Sequence, residues 1–289
     1  PDLDNKRMGL PSCQHDHAGH RHGQSRRHDR GQTPSRLCQR RSRGRFSSSL
    51  IAAALTIFSA LPAIGETLRV ATFNTELARK GPGLLLRDIL KGSDPQITAV
   101  MGTIISAQPD VIALQGFDYD LQNAALVAFA TALKDGGLDL PYHFAAPSNG
   151  GLQTDIDLDG DGKIGGPGDA QGYGRFFGQG GMAILSRYPI DTPKVQDFST
   201  FLWKDLPGNL FPQTQSGPFP STAAYEVQRL SSHGHWVVPI VHPNIGRFHI
   251  LTFHASPPVF DGPEDRNGRR NHDEVAFWSK YLDGAFSTS

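Results

Sequence analysis

The feature that most restricts the fold of this chain is the run Val111-Ile112-Ala113-Leu114, apolar at every position and stopped on its N-terminal side by Pro109-Asp110. A strand with one wet face alternates polar and apolar residues, so a short continuous apolar run reads as a strand buried on both faces. Upstream, Leu68-Arg69-Val70-Ala71-Thr72-Phe73 alternates and is rich in strand formers, with Asn74 at its end. Between the two, Ile97, Val100, Met101, Ile104 and Ile105 recur at helical spacing. Strand, helix, strand in that order predicts an α/β sheet domain.

The same reading continues downstream. A second helix is expected over Leu121 to Leu133 and a short strand at Tyr142-His143-Phe144-Ala145. From Ser148 to Gly181 the chain is rich in Gly and Asp without apolar periodicity, which predicts a long loop; loops of that length in compact domains usually carry function. Strand character returns at Met182-Ala183-Ile184-Leu185-Ser186, and again from His235 to Val241 and from Arg247 to His254. A final helix carries Val275, Phe277, Trp278, Tyr281 and Leu282, with Asn271 as the expected cap and Glu274 as the acid of a capping box.

Zero net charge conceals a split. Residues 1–49 hold 11 of the 28 Lys and Arg but 4 of the 28 Asp and Glu, which leaves 17 basic against 24 acidic side chains from position 50 onward. An acidic globular part does not attract polyanions by its field alone, so nucleic acid stays open as a partner but is not indicated by charge. Both cysteines, Cys13 and Cys38, lie in the basic part, which excludes thiol chemistry and disulfides from residue 50 on. Arg40, Arg41, Arg43 and Arg45, the apolar run Leu50 to Leu61 and then Ala63-Ile64-Gly65 have the layout of a secretory signal, with cleavage expected near Gly65. That run is shorter than the roughly 20 residues a membrane span needs. The expected organisation is therefore a disordered basic extension over 1–44, holding His15, His17, His20, His22 and His28, a signal over 45–65, a globular domain over 66–289, and a secreted or periplasmic location.

Four stretches, in this order, resemble the endonuclease/exonuclease/phosphatase superfamily of metal-dependent phosphoesterases: the strand ending in Asn74, Pro109 to Gln115, the strand closed by Ser186-Arg187-Tyr188-Pro189-Ile190, and the strand ending in His254. A bacterial secreted branch is suggested by Phe201 to Pro207, Arg229 to Ser232, His235-Trp236 and Ser256 to Asn271. The resemblance implies a two-sheet α/β sandwich in four αββα layers that hydrolyses phosphodiesters or phosphomonoesters with Mg²⁺ or Mn²⁺. It also implies that Asn74 contacts the metal site or the phosphate and that His254 serves proton transfer or phosphate stabilisation.

Two departures set the alternatives. Where the family's metal glutamate follows the buried strand, this chain has Gly116, in Leu114-Gln115-Gly116-Phe117-Asp118; Asp118, about 7 Å further along the strand, is the candidate substitute, with Asp120 behind it. The family's Gly-Asp-x-Asn and Ser-Asp-His segments do not occur before Ser289, so the resemblance predicts a domain incomplete at the C-terminus. The readings left open are an exported phosphoesterase, or a truncated copy of one, and an inactive relative working as a calcium-braced binding or surface module.

Asp157, Asp159 and Asp161 at alternate positions, followed by Gly162, match the first half of an EF-hand-type loop, with Asp169 one residue beyond the usual closing position at Gly168; they form a candidate Ca²⁺ site. Arg266, Arg269 and Arg270 are candidates for binding phosphate or for a solvated helix start. His233, His235 and His242 are close in sequence, but their spacing fits no standard zinc pattern. The substrate and the oligomeric state are not legible.

Overall fold

The computed structural model describes residues 67–286; the expected extension at 1–44 and signal at 45–65 lie outside them. Two sheets carry the fold. The first has four strands in the order β1 (Val70–Leu77), β2 (Val111–Phe117), β4 (Met182–Ser186) and β3 (Tyr142–Phe144), with β1 parallel to β2 and the other pairs antiparallel. The second has β5 (Gln196–Asp197), β8 (His235–His242) and β9 (Gly246–Phe253), all antiparallel. A small hairpin of β6 (Gln213–Thr214) and β7 (Gly217–Pro218) stands apart.

The apolar run that opened the sequence reading is buried at every residue because it has something on both sides. Ile112 and Leu114 of β2, with Ala183 and Leu185 of β4, pack under three helices, α1 (Leu84–Lys91), α2 (Pro95–Ala107) and α3 (Ala124–Asp135), through Leu85, Ile104, Phe129 and their neighbours. The alternate residues Val111, Ala113, Met182 and Ile184 face the second sheet and meet Trp236, Val238 and Ile240 of β8. Each of the larger of these side chains, such as Ile112, Leu114, Ile184 and Leu185, contributes about 1.5–3 kcal/mol, so period-two burial on β2 and β4 binds the layers together.

A short helix, α4 (Thr222–Val227), precedes β8, and α5 (Arg266–Leu282) packs against the outer side of the second sheet at His235 through Phe277 and Trp278. Phe277 of α5 is fully buried and packs edge-on to His235, which points away from the sheet interface occupied by its neighbour Trp236. The layers are thus helix, sheet, sheet, helix, as the resemblance implied. Among the described residues no helix is long and apolar enough to cross a membrane.

Two elements differ from the sequence reading. α1 was not anticipated; its signals are Leu85 and Ile89 four residues apart and Gly92, which closes it in a left-handed conformation. α5 starts at Arg266, well before the expected cap. Asn271 is inside it and donates to the Ser256 carbonyl (2.7 Å), while Glu274 is completely buried. The early turns of α5 are polar because they face the backbone of neighbouring loops rather than an apolar core, so no hydrophobic period marks them.

His235 has its Nε2 2.9 Å from the Glu274 carbonyl and its Nδ1 3.0 Å from Ser231 Oγ, and burial pulls its pKa down to about 4. Between about 4 and the ordinary 6.5 the unfolded chain therefore binds a proton that the folded chain excludes. Stability must fall as pH falls through that window, by about 1.4 kcal/mol per unit from this group. His233, pulled to about 3, acts in the same sense, while the raised carboxylate of Glu274 opposes both. The diagnostic is therefore a difference. Urea unfolding at pH 7 and pH 5 should show that His235→Gln removes about 2 kcal/mol of the acid-induced loss; an equal loss in variant and parent would refute the assignment.

Candidate active site

β1 and β2 run in register from Val70 opposite Val111 to Asn74 opposite Gln115, and then slip, because Leu77 pairs with Phe117. One extra residue in β1 makes a bulge at Thr75 and Glu76. Thr75 turns inward and donates to the Gln115 carbonyl (2.9 Å). Glu76 is exposed and adopts φ 53°, a left-handed conformation that side-chain-bearing residues rarely take. Across from it Gly116 has φ 65°. A Cβ on Gly116 would lie 2.6 Å from Asn74 Oδ1 and 3.0 Å from the Glu76 amide nitrogen, so the bulge closes over the space a side chain at 116 would need. Asn74, exposed at this end of the sheet, donates from Nδ2 to Glu76 Oε1 at 2.6 Å.

His254 follows directly on β9 and stacks on His233 with ring centroids 4.4 Å apart and planes 21° from parallel. His233 Nδ1 is 3.1 Å from the His254 carbonyl oxygen, to which it can donate. Burial, with His254 adding to it, pulls His233 to about 3, so it is neutral near neutral pH. His254 is also shifted down by burial; the charge of Glu76 and a hydrogen bond to the Gly180 backbone act against that shift. Glu76 and His254 therefore sense each other at the end of the sandwich where Asn74 emerges.

A buried carboxylate holds the histidine pair in place. Glu274 accepts from the Ser232 amide (2.6 Å) and hydroxyl (2.7 Å) through Oε1, and from the Ser256 amide and hydroxyl (both 2.7 Å) through Oε2. Ser232 precedes His233, and Ser256 lies two residues after His254, so one side chain sets the positions of both rings.

Asp118, the candidate substitute ligand, is also buried. Its Oδ2 accepts from the Arg79 amide and its Oδ1 from the Gly180 amide, both at 2.8 Å, and burial pushes its pKa up. It ties the segment after β1 to the end of the long loop instead of standing free beside Asn74. Asp120 accepts from the Ala125 amide at the start of α3.

In the long loop, Asp157, Asp159 and Asp169 bring ligand oxygens within 4.8 Å of one another; Asp161 is not in this group. The asparatate oxygens also accept loop amides: Gly160 and Gly162 on Asp157, Asp161 on Asp159, and Leu158 and Gly166 on Asp169. Burial, then the neighbouring carboxylates, raises the pKa of Asp159. A Cβ on Gly168 would lie 1.8 Å from Asp159 Oδ2, so a side chain there would push the Asp159 carboxylate out of its place in the group.

The three arginines do not gather at one phosphate site. Arg270 is buried and donates to the carbonyls of Leu230, Gln171 and Arg229; Arg266 donates to Gln228 and lies in the field of Asp159 and Asp169; Arg269 is 4.0 Å from Asp265 at the surface. His242 packs on Tyr188 at the far end of β8 from His235, so the three histidines do not converge either. Sequence reasoning brought Asn74 and His254 forward but missed Glu76, whose position two residues after Asn74 was the available signal, and Glu274.

One family model matches most of this chain. The Endonuclease/Exonuclease/phosphatase family, one of phosphoesterase- and nuclease-type hydrolases, matches residues 71–284. Among solved structures, the chain is similar to an endonuclease/exonuclease/phosphatase from Beutenbergia cavernae DSM 12333, at 14% identity and TM-score 0.34 over 67% of this chain and 39% of that one. It is also similar to an endonuclease/exonuclease/phosphatase family protein from Leptotrichia buccalis C-1013-b, at 14% identity and TM-score 0.35 over 77% of this chain and 64% of that one. The chain thus spans less than two thirds of the length of either. No curated protein sequence matches it. From the family match over most of its described length, the chain belongs to the endonuclease/exonuclease/phosphatase family.

Proposed function

We propose that this protein is an exported, Mg²⁺- or Mn²⁺-dependent phosphoesterase in which Asn74 and His254 face the reacting phosphate. The observation that carries the reading is the convergence of an amide, a carboxylate and a neutral histidine at one end of the sandwich: Asn74 bonded to Glu76, and His254 within the field of Glu76. The export part rests on the basic residues before Leu50 to Leu61 and the small residues before Glu66.

The donors present suit a small hard cation. Mg²⁺ keeps several of its waters and is commonly held by one or two carboxylates plus substrate phosphate, so Asn74 Oδ1 and the Glu76 carboxylate are an adequate protein share. Bound there, Mg²⁺ would supply charge neutralisation at the phosphoryl oxygens and a water of lowered pKa. The chain's own residues do the rest. Asn74 fixes the carboxylate it bonds. His254, kept neutral by burial, can offer an N–H to a phosphoryl oxygen or accept a proton, and His233 beneath it holds the ring plane.

With Mg²⁺ or Mn²⁺, the full chain should hydrolyse at least one of bis-p-nitrophenyl phosphate, p-nitrophenyl phosphate, DNA or a phospholipid. His254→Ala should lower kcat by about 10²-fold or more with little change in melting temperature. Turnover on none of these substrates would favour a second reading, a non-catalytic relative used as a binding module. The observation that speaks for that second reading is Gly116, which puts no ligand at the end of β2.

The same proposal assigns Ca²⁺ to the acidic loop as a structural brace. Calcium at about 100 times its Kd adds ~2.7 kcal/mol to the folded state. The melting temperature should therefore rise when calcium replaces chelator, and Asp159→Asn should abolish the rise; identical melting in calcium and in chelator for the parent chain would rule the brace out.

A further inference from the structure

We propose that Glu76 supplies the metal-binding carboxylate that Gly116 lacks, and that the bulge in β1 and the bare Gly116 are two halves of one arrangement. The inference rests on the phosphoesterase reading above and names a ligand of the same site.

A bulge between two parallel strands is uncommon. Here it leaves an exposed, non-glycine residue at φ 53°, a strained conformation that persists only where the surroundings enforce it. The core does not account for the residue at that position, because Thr75 and Leu77 are the buried ones and Glu76 points out. What the extra residue does achieve is visible at the sheet end. It brings the Glu76 carboxylate to within 2.6 Å of Asn74 Nδ2, on the side where its charge acts on His254. It also presses Asn74 Oδ1 and the Glu76 backbone onto Gly116, to 2.6, 3.0 and 3.3 Å from where a Cβ would sit.

A glutamate at 116 would therefore displace the Asn74 amide and crowd the bulge at Glu76. With φ 65° at Gly116 and a Cβ there crowded by Asn74 and the Glu76 backbone, the end of β2 disfavours a side-chain ligand, and the carboxylate arrives from the neighbouring strand. Glu76 is in no ion pair among the described residues, and only Oε1 is engaged by Asn74. Its negative charge is therefore available to a cation lying between it and His254.

The test reads the site locally, without turnover. In the full chain labelled with ring-¹³C histidine, Mn²⁺ is titrated while the imidazole signals are followed; His254→Gln assigns the His254 signal. Expected is broadening of the His254 signal in the parent chain, with about ten-fold or more Mn²⁺ needed in Glu76→Gln, on the scale by which lost metal contacts weaken binding. Glu76 is exposed, so the variant should melt as the parent does. Equal broadening of His254 in both proteins would overturn the assignment of Glu76 while leaving a metal at this site. No broadening of His254 in the parent would overturn the assignment and the metal-dependent reading together.

Discussion

The buried carboxylate of Glu274 is the interaction on which the candidate site depends. Removing an ionised carboxylate from water is very unfavourable, and burial duly raises its pKa; four hydrogen bonds from Ser232 and Ser256 and the nearby charge of Arg270 offset that penalty. The bonds join the segment entering β8 to the segment leaving β9, both on the inner side of α5. Since His233 and His254 belong to those segments, their stacking follows from a charge neither of them touches.

The whole N-terminal half of α5 works in this way. Arg270, pulled by burial to about 10, spans three carbonyls from the long loop and the segment before β8, and Asp273 accepts from the Trp203 indole (2.7 Å) and the Leu210 amide (2.6 Å). Only from Phe277 onward does the helix bury apolar surface. A polar spine of this kind fixes loops that have little core of their own, because each carboxylate or guanidinium satisfies several backbone groups at once.

This explains what the sequence disclosed. Where burial is apolar, its period was readable: β2, β4, β8 and α2 lie where alternation, continuous runs or helical spacing placed them, and the loop from 148 to 181 was recognised by the lack of any period. Where burial is polar, the pattern misled. Glu274 has the spacing of a capping-box acid three residues after Asn271, and nothing local distinguishes that role from a buried clamp whose partners are 18 and 42 residues away. Asn74 and His254 could be named from their motifs. The slip of β1 against β2 could not be read, because a bulge is a relation between two strands, and it undoes the alternation that would place residue 76.

The long loop is also more than a connection between β3 and β4. It is held by polar contacts: Asn149 donates to the Ser199 and Ser231 carbonyls (2.6 and 2.8 Å), Asp169 binds the amides of Leu158 and Gly166, and Asp118 takes the amide of Gly180. Gly180 then meets His254 through its backbone, so the same loop that gathers Asp157, Asp159 and Asp169 ends against the candidate catalytic histidine. With Leu158 its one fully buried large aliphatic side chain, the loop draws little on the hydrophobic core. Its order rests on carboxylates satisfying several amides at once, so the loop is fixed by polar networks rather than by packing into the core.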